Sequence, residues 1–151
     1  MDVVTEVPHR RVGEIGSGLC VLVGVTHDDT IAHADKLADK IWNLRVLDDA
    51  AGVMNRSLAD VFDDARGAGE HAELHAAQVL VVSQFTLYGD TRKGRRPSWI
   101  DAARPEHAEP LVERVVDRLR TSGAEVATGR FRTDMHVSIV NDGPVTLMLE
   151  V

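Results

Sequence analysis

Towards its C-terminus the chain changes its hydrophobic period, and no composition figure constrains the fold as much. In "RPEHAEPLVERVVDRLRTSG", Leu111, Val112, Val115, Val116 and Leu119 recur at helical spacing, and Gly123 is a natural stop. Beyond it Val126, then Met135, Val137 and Ile139, then Val145, Leu147, Leu149 and Val151 alternate at period two. A period of two places every second side chain on one face, which predicts half-buried antiparallel strands. Helices and a sheet must therefore share one core.

The earlier chain fits this division. "LCVLVGV" (Leu19 to Val25) is short, β-branched and bounded by glycines, the pattern of a buried strand. Ile31, Ala34, Leu37, Ala38, Ile41 and Leu44 then give a helical stripe headed by aspartates. "DDAAGVMNRSLADV" reads as a turn, a short strand and another turn, and "FDDARGAGEHAELHAAQ" as a polar loop followed by a short helix. "VLVVSQF" is a second buried strand running into Ser83, Gln84 and Phe85. Strands outnumber helices and are not regularly separated by them. The expected class is α+β, a curved, mainly antiparallel sheet or barrel-like core with two main helices packed outside. A chain of 151 residues is expected to form a single domain over 1–151.

Composition narrows the function classes. Hydrophobic residues make up 44% and charged residues 27%, as in ordinary globular proteins. No run approaches the roughly 18 apolar residues of a membrane span. "MDVVTEVPHRR" has no apolar core of a signal peptide, and the one cysteine excludes an internal disulfide, so a cytoplasmic protein without a membrane partner is expected. Cys20 lies inside a strand-like run and reads as a small core residue. A net charge of −7 argues against bulk electrostatic coating of nucleic acid. The basic cluster Arg92, Lys93, Arg95 and Arg96 in "DTRKGRRPSW" is either a solvated loop or a local phosphate contact.

Several motifs can be set aside. His71 and His75 stand at i and i+4, but Glu73 is one place late for the zinc-protease pattern and no third ligand follows. "GSG" at 16–18 is not a nucleophile elbow, and no phosphate-binding loop follows a strand. No metal and no cofactor is expected. What remains is "SQFTL" after a buried strand, a polar segment where strand ends present backbone amides at a sheet rim. Ser83 or Thr86 stays open as a nucleophile, with no histidine placed in sequence as its evident base.

"SQFTL" (Ser83 to Leu87) and "NDGPVT" (Asn141 to Thr146) together resemble the D-aminoacyl-tRNA deacylases of bacteria and eukaryotes. "GEIGSGLCVLVGV", "KIWNLRVL", "VMNRS", "YGDTRKGRRPSW", "TGRF" and "MHVSIVNDGPVTLMLE" carry the likeness from about Val12 to the end. The resemblance implies hydrolysis of the ester joining a D-amino acid, or glycine, to the 3′ terminal adenosine of tRNA. It implies a homodimer with its site at the subunit interface and no cofactor, metal, membrane or DNA. The Gly143–Pro144 bond is then cis, and the dipeptide enters the partner's site as a chirality filter that rejects L side chains. Cis costs only about 0.5–1 kcal/mol at an X-Pro bond. Backbone N–H groups around Phe85 and Thr86 would stabilise the oxyanion, with Ser83 and Gln84 holding the site. A reading with Thr86 as nucleophile is the alternative within the family.

The resemblance further suggests substrate contacts from Phe131, Met135 and Asn141, and acceptor-end phosphates on Arg92, Lys93, Arg95 and Arg96. Members usually begin with an additional strand carrying Gln-Arg-Val, whose arginine helps hold the Gly-Pro loop. Here "MDVVTEVPHRR" replaces it, so a shortened or altered first strand is expected. The stretch 62–78 is longer than the usual connection and reads as a surface insertion. A rival reading is a non-catalytic, dimeric nucleic-acid-binding module on the same fold.

Overall fold

A computed structural model of the chain describes residues 3–7, 10–67 and 77–151. The elements run β1 (Val3–Val7), β2 (Arg10–Ile15), β3 (Gly18–Val23), α1 (Ile31–Asn43), β4 (Leu47–Asp48), β5 (Met54–Arg56), α2 (Leu58–Gly67), β6 (Gln78–Ser83), α3 (Pro105–Ser122), β7 (Glu125–Thr128) and β8 (His136–Ser138). A short 3₁₀ turn, Phe85–Tyr88, follows β6.

The class is α+β, but the sheets are mixed and do not close into a barrel. Strands β3, β6 and β7 form a parallel sheet with β6 in the middle, in register from Gly18 opposite Gln78 to Val23 opposite Ser83. Strands β2, β1 and β8 form a separate antiparallel sheet, and β4 and β5 a two-stranded one. The expectation of a mainly antiparallel, barrel-like core is thus corrected. Helices do separate β3 from β6 and β6 from β7, which is the crossover that parallel pairing requires. A central parallel strand is buried on both faces and reads as a continuous apolar run, as "VLVV" does.

The helices number three among the described residues, not two. Part of the polar loop expected from Phe62 onward belongs to α2, which starts at Leu58. Its start is a capping box: the Asp60 carboxylate accepts hydrogen bonds from the Ser57 N–H and hydroxyl, both at 2.8 Å, and the Asp60 N–H donates to the Ser57 hydroxyl at 3.1 Å. Leu58 is fully buried, and Phe62 meets Trp42 of α1 edge to face at 5.7 Å. The stretch with His71 and His75 lies outside the described residues.

The strand β6 sits between two apolar layers. Val79 and Val81 pack with Ala34, Ala38, Ile41 and Trp42 of α1 and with the α3 stripe Leu111, Val112, Val115, Val116 and Leu119. Leu80 and Val82 point the other way, to Ile15 and the half-buried Cys20, Ala127, Met135 and Val137. Helices, parallel sheet and antiparallel sheet thus form three layers around β6. Burial pushes the Cys20 thiol up from its ordinary pKa, as suits a core residue. At the rim, Arg114 of α3 holds Asp35 of α1 through two hydrogen bonds of 2.6 and 2.9 Å, and keeps that carboxyl below its ordinary range.

Two chain ends behave unexpectedly. Val3–Val7 forms the middle strand of the antiparallel sheet, so the N-terminal stretch that differs from the resembled family still supplies a strand. The second correction concerns the C-terminal run Val145 to Val151, expected as a half-buried strand. It belongs to no strand among the described residues, and Leu147 and Met148 are 57% and 70% exposed. Alternation signals a face that can be covered, and does not say by which partner.

Candidate active site

The parallel sheet delivers the segment Ser83–Thr86 to one edge of the molecule. Strand β6 ends at Ser83, and the Gln84 N–H then donates to the Val23 carbonyl at 2.8 Å, closing the ladder with β3. The chain turns at once into the 3₁₀ turn, where Leu87 N–H donates to Gln84 O at 3.2 Å and Gly89 N–H to Thr86 O at 3.0 Å. The first N–H groups of any helical turn lack an acceptor within it, which leaves those of Phe85 and Thr86 available. Ser83 and Gln84 are half-buried, whereas Phe85 and Thr86 are exposed. The Gln84 side-chain amide donates to the Thr86 hydroxyl, so Gln84 fixes the Thr86 rotamer.

The turn is packed from two sides. A Cβ on Gly24, at the end of β3, would come within 3.0 Å of the Leu87 Cβ and 3.2 Å of the Tyr88 ring. Burial, then the Asp29 and Glu150 carboxylates, pushes the Tyr88 phenol up from its ordinary pKa. On the other side Trp99 meets Phe85 edge to face, with ring centroids 5.3 Å apart. This indole contact was not read from the sequence, because Phe85 and Trp99 are joined only through the loop that separates them.

The loop after the turn is pinned at its neck. Asp90 and Ser98 exchange two backbone hydrogen bonds of 2.8 Å. Within it Arg92 grips Asp90 through Nε and an Nη, both at 2.8 Å. The Arg92 side chain, followed by its backbone N–H, holds the Asp90 carboxyl down at about 2. Arg92 is thus engaged within its own loop, while Lys93, Arg95 and Arg96 are exposed and have no ion pair among the described residues.

The second motif forms its own loop. The Gly143–Pro144 bond is cis, Gly143 has φ +123°, and the residues from Asn141 to Thr146 are exposed. Asn141 closes this loop by accepting from the Val145 N–H at 3.2 Å and donating to the Thr146 hydroxyl at 3.0 Å. Asn141, expected among the substrate contacts, therefore has a structural part in shaping the dipeptide. No hydrogen bond joins Gly143 or Pro144 to Ser83–Thr86 within the protomer among the described residues. Met135 lies against the inter-sheet core, its sulfur accepting from the Arg130 N–H at 3.2 Å, while Phe131 is half-buried in the preceding turn. No group of three or more metal-ligating side chains occurs among the described residues.

Comparison with known proteins identifies relatives over almost the whole chain. The family model described as D-Tyr-tRNA(Tyr) deacylase matches residues 3–150. A D-aminoacyl-tRNA deacylase of Symbiobacterium thermophilum is 53% identical over 139 residues, covering 92% of this chain and 83% of that one. A Bacillus subtilis relative, 50% identical over 92% of this chain and 95% of its own length, is described as an inactive D-aminoacyl-tRNA deacylase. A solved structure of the c-Myc DNA Unwinding Element Binding Protein superposes with a TM-score of 0.83 at 32% identity, covering 99% of this chain and 93% of that one. Matched over nearly its whole length, and half-identical to such relatives, the chain belongs to the D-Tyr-tRNA(Tyr) deacylase family.

Proposed function

We propose that this chain is a D-aminoacyl-tRNA deacylase, a hydrolase that cleaves the ester between a D-amino acid or glycine and the 3′ terminal adenosine of tRNA. The observation that carries the reading is the joint presence of Ser83–Thr86 at the end of a buried strand and an exposed Gly143–Pro144 loop, in a chain 53% identical to such a deacylase. The 151 residues act as one deacylase domain in the cytoplasm. It recycles free tRNA, and cleaves glycine mischarged on tRNA-Ala as well.

Water attacks the ester carbonyl, and the backbone N–H groups of Phe85 and Thr86 receive the developing oxyanion. A donor of that kind is worth about 10²–10³ in rate. The bond between carbonyl carbon and ribose oxygen then breaks, releasing the amino acid and a tRNA with its terminal hydroxyl restored. The neighbouring 2′-hydroxyl of the adenosine positions the water. Ser83 and Gln84 hold the segment, and no side chain serves as nucleophile.

The enzyme works as a homodimer in which Gly143 and Pro144 of one subunit wall the site of the other. An L side chain collides with this backbone, whereas a D side chain leaves the pocket. Glycine has nothing to reject and passes. Ile139, Val140, Leu147 and Met148, all exposed on the protomer, support such a shared interface. Phe131 lines the adenosine side of the pocket. Lys93, Arg95 and Arg96 meet a few acceptor-end phosphates, so binding falls only shallowly with salt, as suits a chain of net charge −7.

Because one relative at 50% identity is described as inactive, the decisive test is the reaction itself. The chain is incubated with D-tyrosyl-tRNA and L-tyrosyl-tRNA, and ester loss is followed. Hydrolysis of the D ester alone is expected, together with a marked slowing when the terminal adenosine is 2′-deoxy. Retained tRNA binding without hydrolysis of either would favour a non-catalytic binding module and defeat the proposal.

A further inference from the structure

Trp99 touches the site segment without belonging to either motif of the proposed function. Its indole meets Phe85 at 5.3 Å with the rings inclined by 72°. It also packs closely against the end of the 3₁₀ turn: a Cβ on Gly89 would stand 2.5 Å from the ring, which only glycine avoids. The loop that carries Trp99 is in turn fastened to the segment following β3. The Thr26 hydroxyl donates to the Asp101 carbonyl at 2.6 Å, and His27 Nε2–H donates to the Ile100 carbonyl at 2.7 Å. Ala103 N–H donates to Val25 O at 2.9 Å, and Thr26 bridges to Ala102.

These contacts form a closed mechanical loop. Strand β3 holds β6 through the Gln84 N–H, and the segment after β3 holds the 98–103 loop through Thr26 and His27. Trp99 then returns the constraint to Phe85 and Gly89. A four-residue 3₁₀ turn has weak internal hydrogen bonding and takes its orientation from such outside packing.

We propose that Trp99 is a positioning residue for the deacylase reaction, with Thr26 and His27 as its anchor. It sets the orientation of the Phe85–Gly89 turn and does so without contacting the reacting atoms. The inference rests on the reading of the protein as a deacylase for its kinetic part only. Displacing a reacting group by about 1 Å costs up to roughly a hundredfold in rate, so a brace of this kind is read in kcat.

The test uses the full chain and D-tyrosyl-tRNA. Trp99→Ala and Gly89→Ala, the second keeping the indole but pushing it off its seat, are expected to lower kcat about ten- to a hundredfold with KM little changed. Trp99→Phe, which keeps an edge-to-face ring, restores most of the rate. His27→Ala, a substitution at an exposed residue that leaves the core intact, shows a smaller fall of the same kind.

A second reading is independent of activity. The chain has two tryptophans, and Trp42 is only 9% exposed, so acrylamide quenching reports mainly Trp99. Quenching is expected to rise in Gly89→Ala and His27→Ala. An active wild type with kcat unchanged in Trp99→Ala and His27→Ala overturns the brace. So does a raised KM at constant kcat, which would make the indole a substrate contact, and so does unaltered quenching. If the wild type hydrolyses no D ester, the deacylase reading fails while the quenching arm still decides whether the brace exists.

Discussion

Strand β6 and the C-terminal run are both apolar, yet the protein treats them in opposite ways. Val79, Leu80, Val81 and Val82 are each 2% exposed or less, covered by helices on one face and by the antiparallel sheet on the other. Leu147 and Met148 are more than half exposed, and only Leu149 of that run packs partly on the helical core. The first stretch completes a single protomer. The second stays open on the surface, and the proposed homodimer would cover it. A hydrophobic residue thus says that something covers it favourably, and its place in the fold says whether the cover lies within the chain.

The sharpest way to break this contrast is to truncate one member of each pair. Leu80→Ala removes side-chain volume from a fully buried position and is expected to cost about 2–5 kcal/mol, read as a lower denaturant midpoint. Leu147→Asp is expected to leave the unfolding of the protomer nearly unchanged, since the residue is exposed there. In the proposed homodimer it instead weakens association by about 2 kcal/mol or more, roughly thirtyfold in dissociation constant, read by sedimentation and by parallel loss of hydrolysis. A Leu147→Asp protein that stays dimeric and active would remove that run from the interface.

A subtler test asks what the end of β6 contributes. If backbone donors do the chemistry, Thr86→Ala retains hydrolysis within about threefold, far from the 10²–10³ that an oxyanion donor is worth. Complete loss in a folded Thr86→Ala protein would restore the hydroxyl as nucleophile. The smallest effect concerns the loop beyond it. The Asp90 carboxyl is depressed from 3.8 to about 2 by Arg92. A depressed acid contributes stability above its unfolded pKa and loses it as pH falls through the folded one, here between about pH 4 and pH 2. Carboxyl resonances should show Asp90 titrating near 2, and Arg92→Gln should return the midpoint towards 3.8. Asp90 is only half-buried and its partner Arg92 is exposed, so solvent screens the pair and the thermodynamic consequence is slight.

Much of the fold could be read from periodicity. The stripes of α1 and α3, the buried runs of β3 and β6 and the stop at Gly123 all follow from local spacing, and each element lies where that spacing put it. The capping box at Ser57 to Asp60 is local as well, although from its sequence the stretch reads as a turn. Strand partners were not legible. The continuous "VLVV" run suits a strand covered on both faces, but pairing of β6 with β3 and β7 depends on helices that return the chain to the same end of the sheet.

The candidate site divides in the same way. Ser83–Thr86 and Asn141–Thr146 stand out in the sequence because polar and Gly-Pro residues there interrupt strand-like runs, and their resemblance to a family supplies the chemistry. Only the tertiary structure decided that Asn141 spans its own loop, that Arg92 is occupied by Asp90, and that Trp99 rests on Phe85 and Gly89. The physical reason is range. Periodicity and capping act over a few residues and are written in the order of the chain, whereas these contacts arise only after the layers have packed and brought separate loops together.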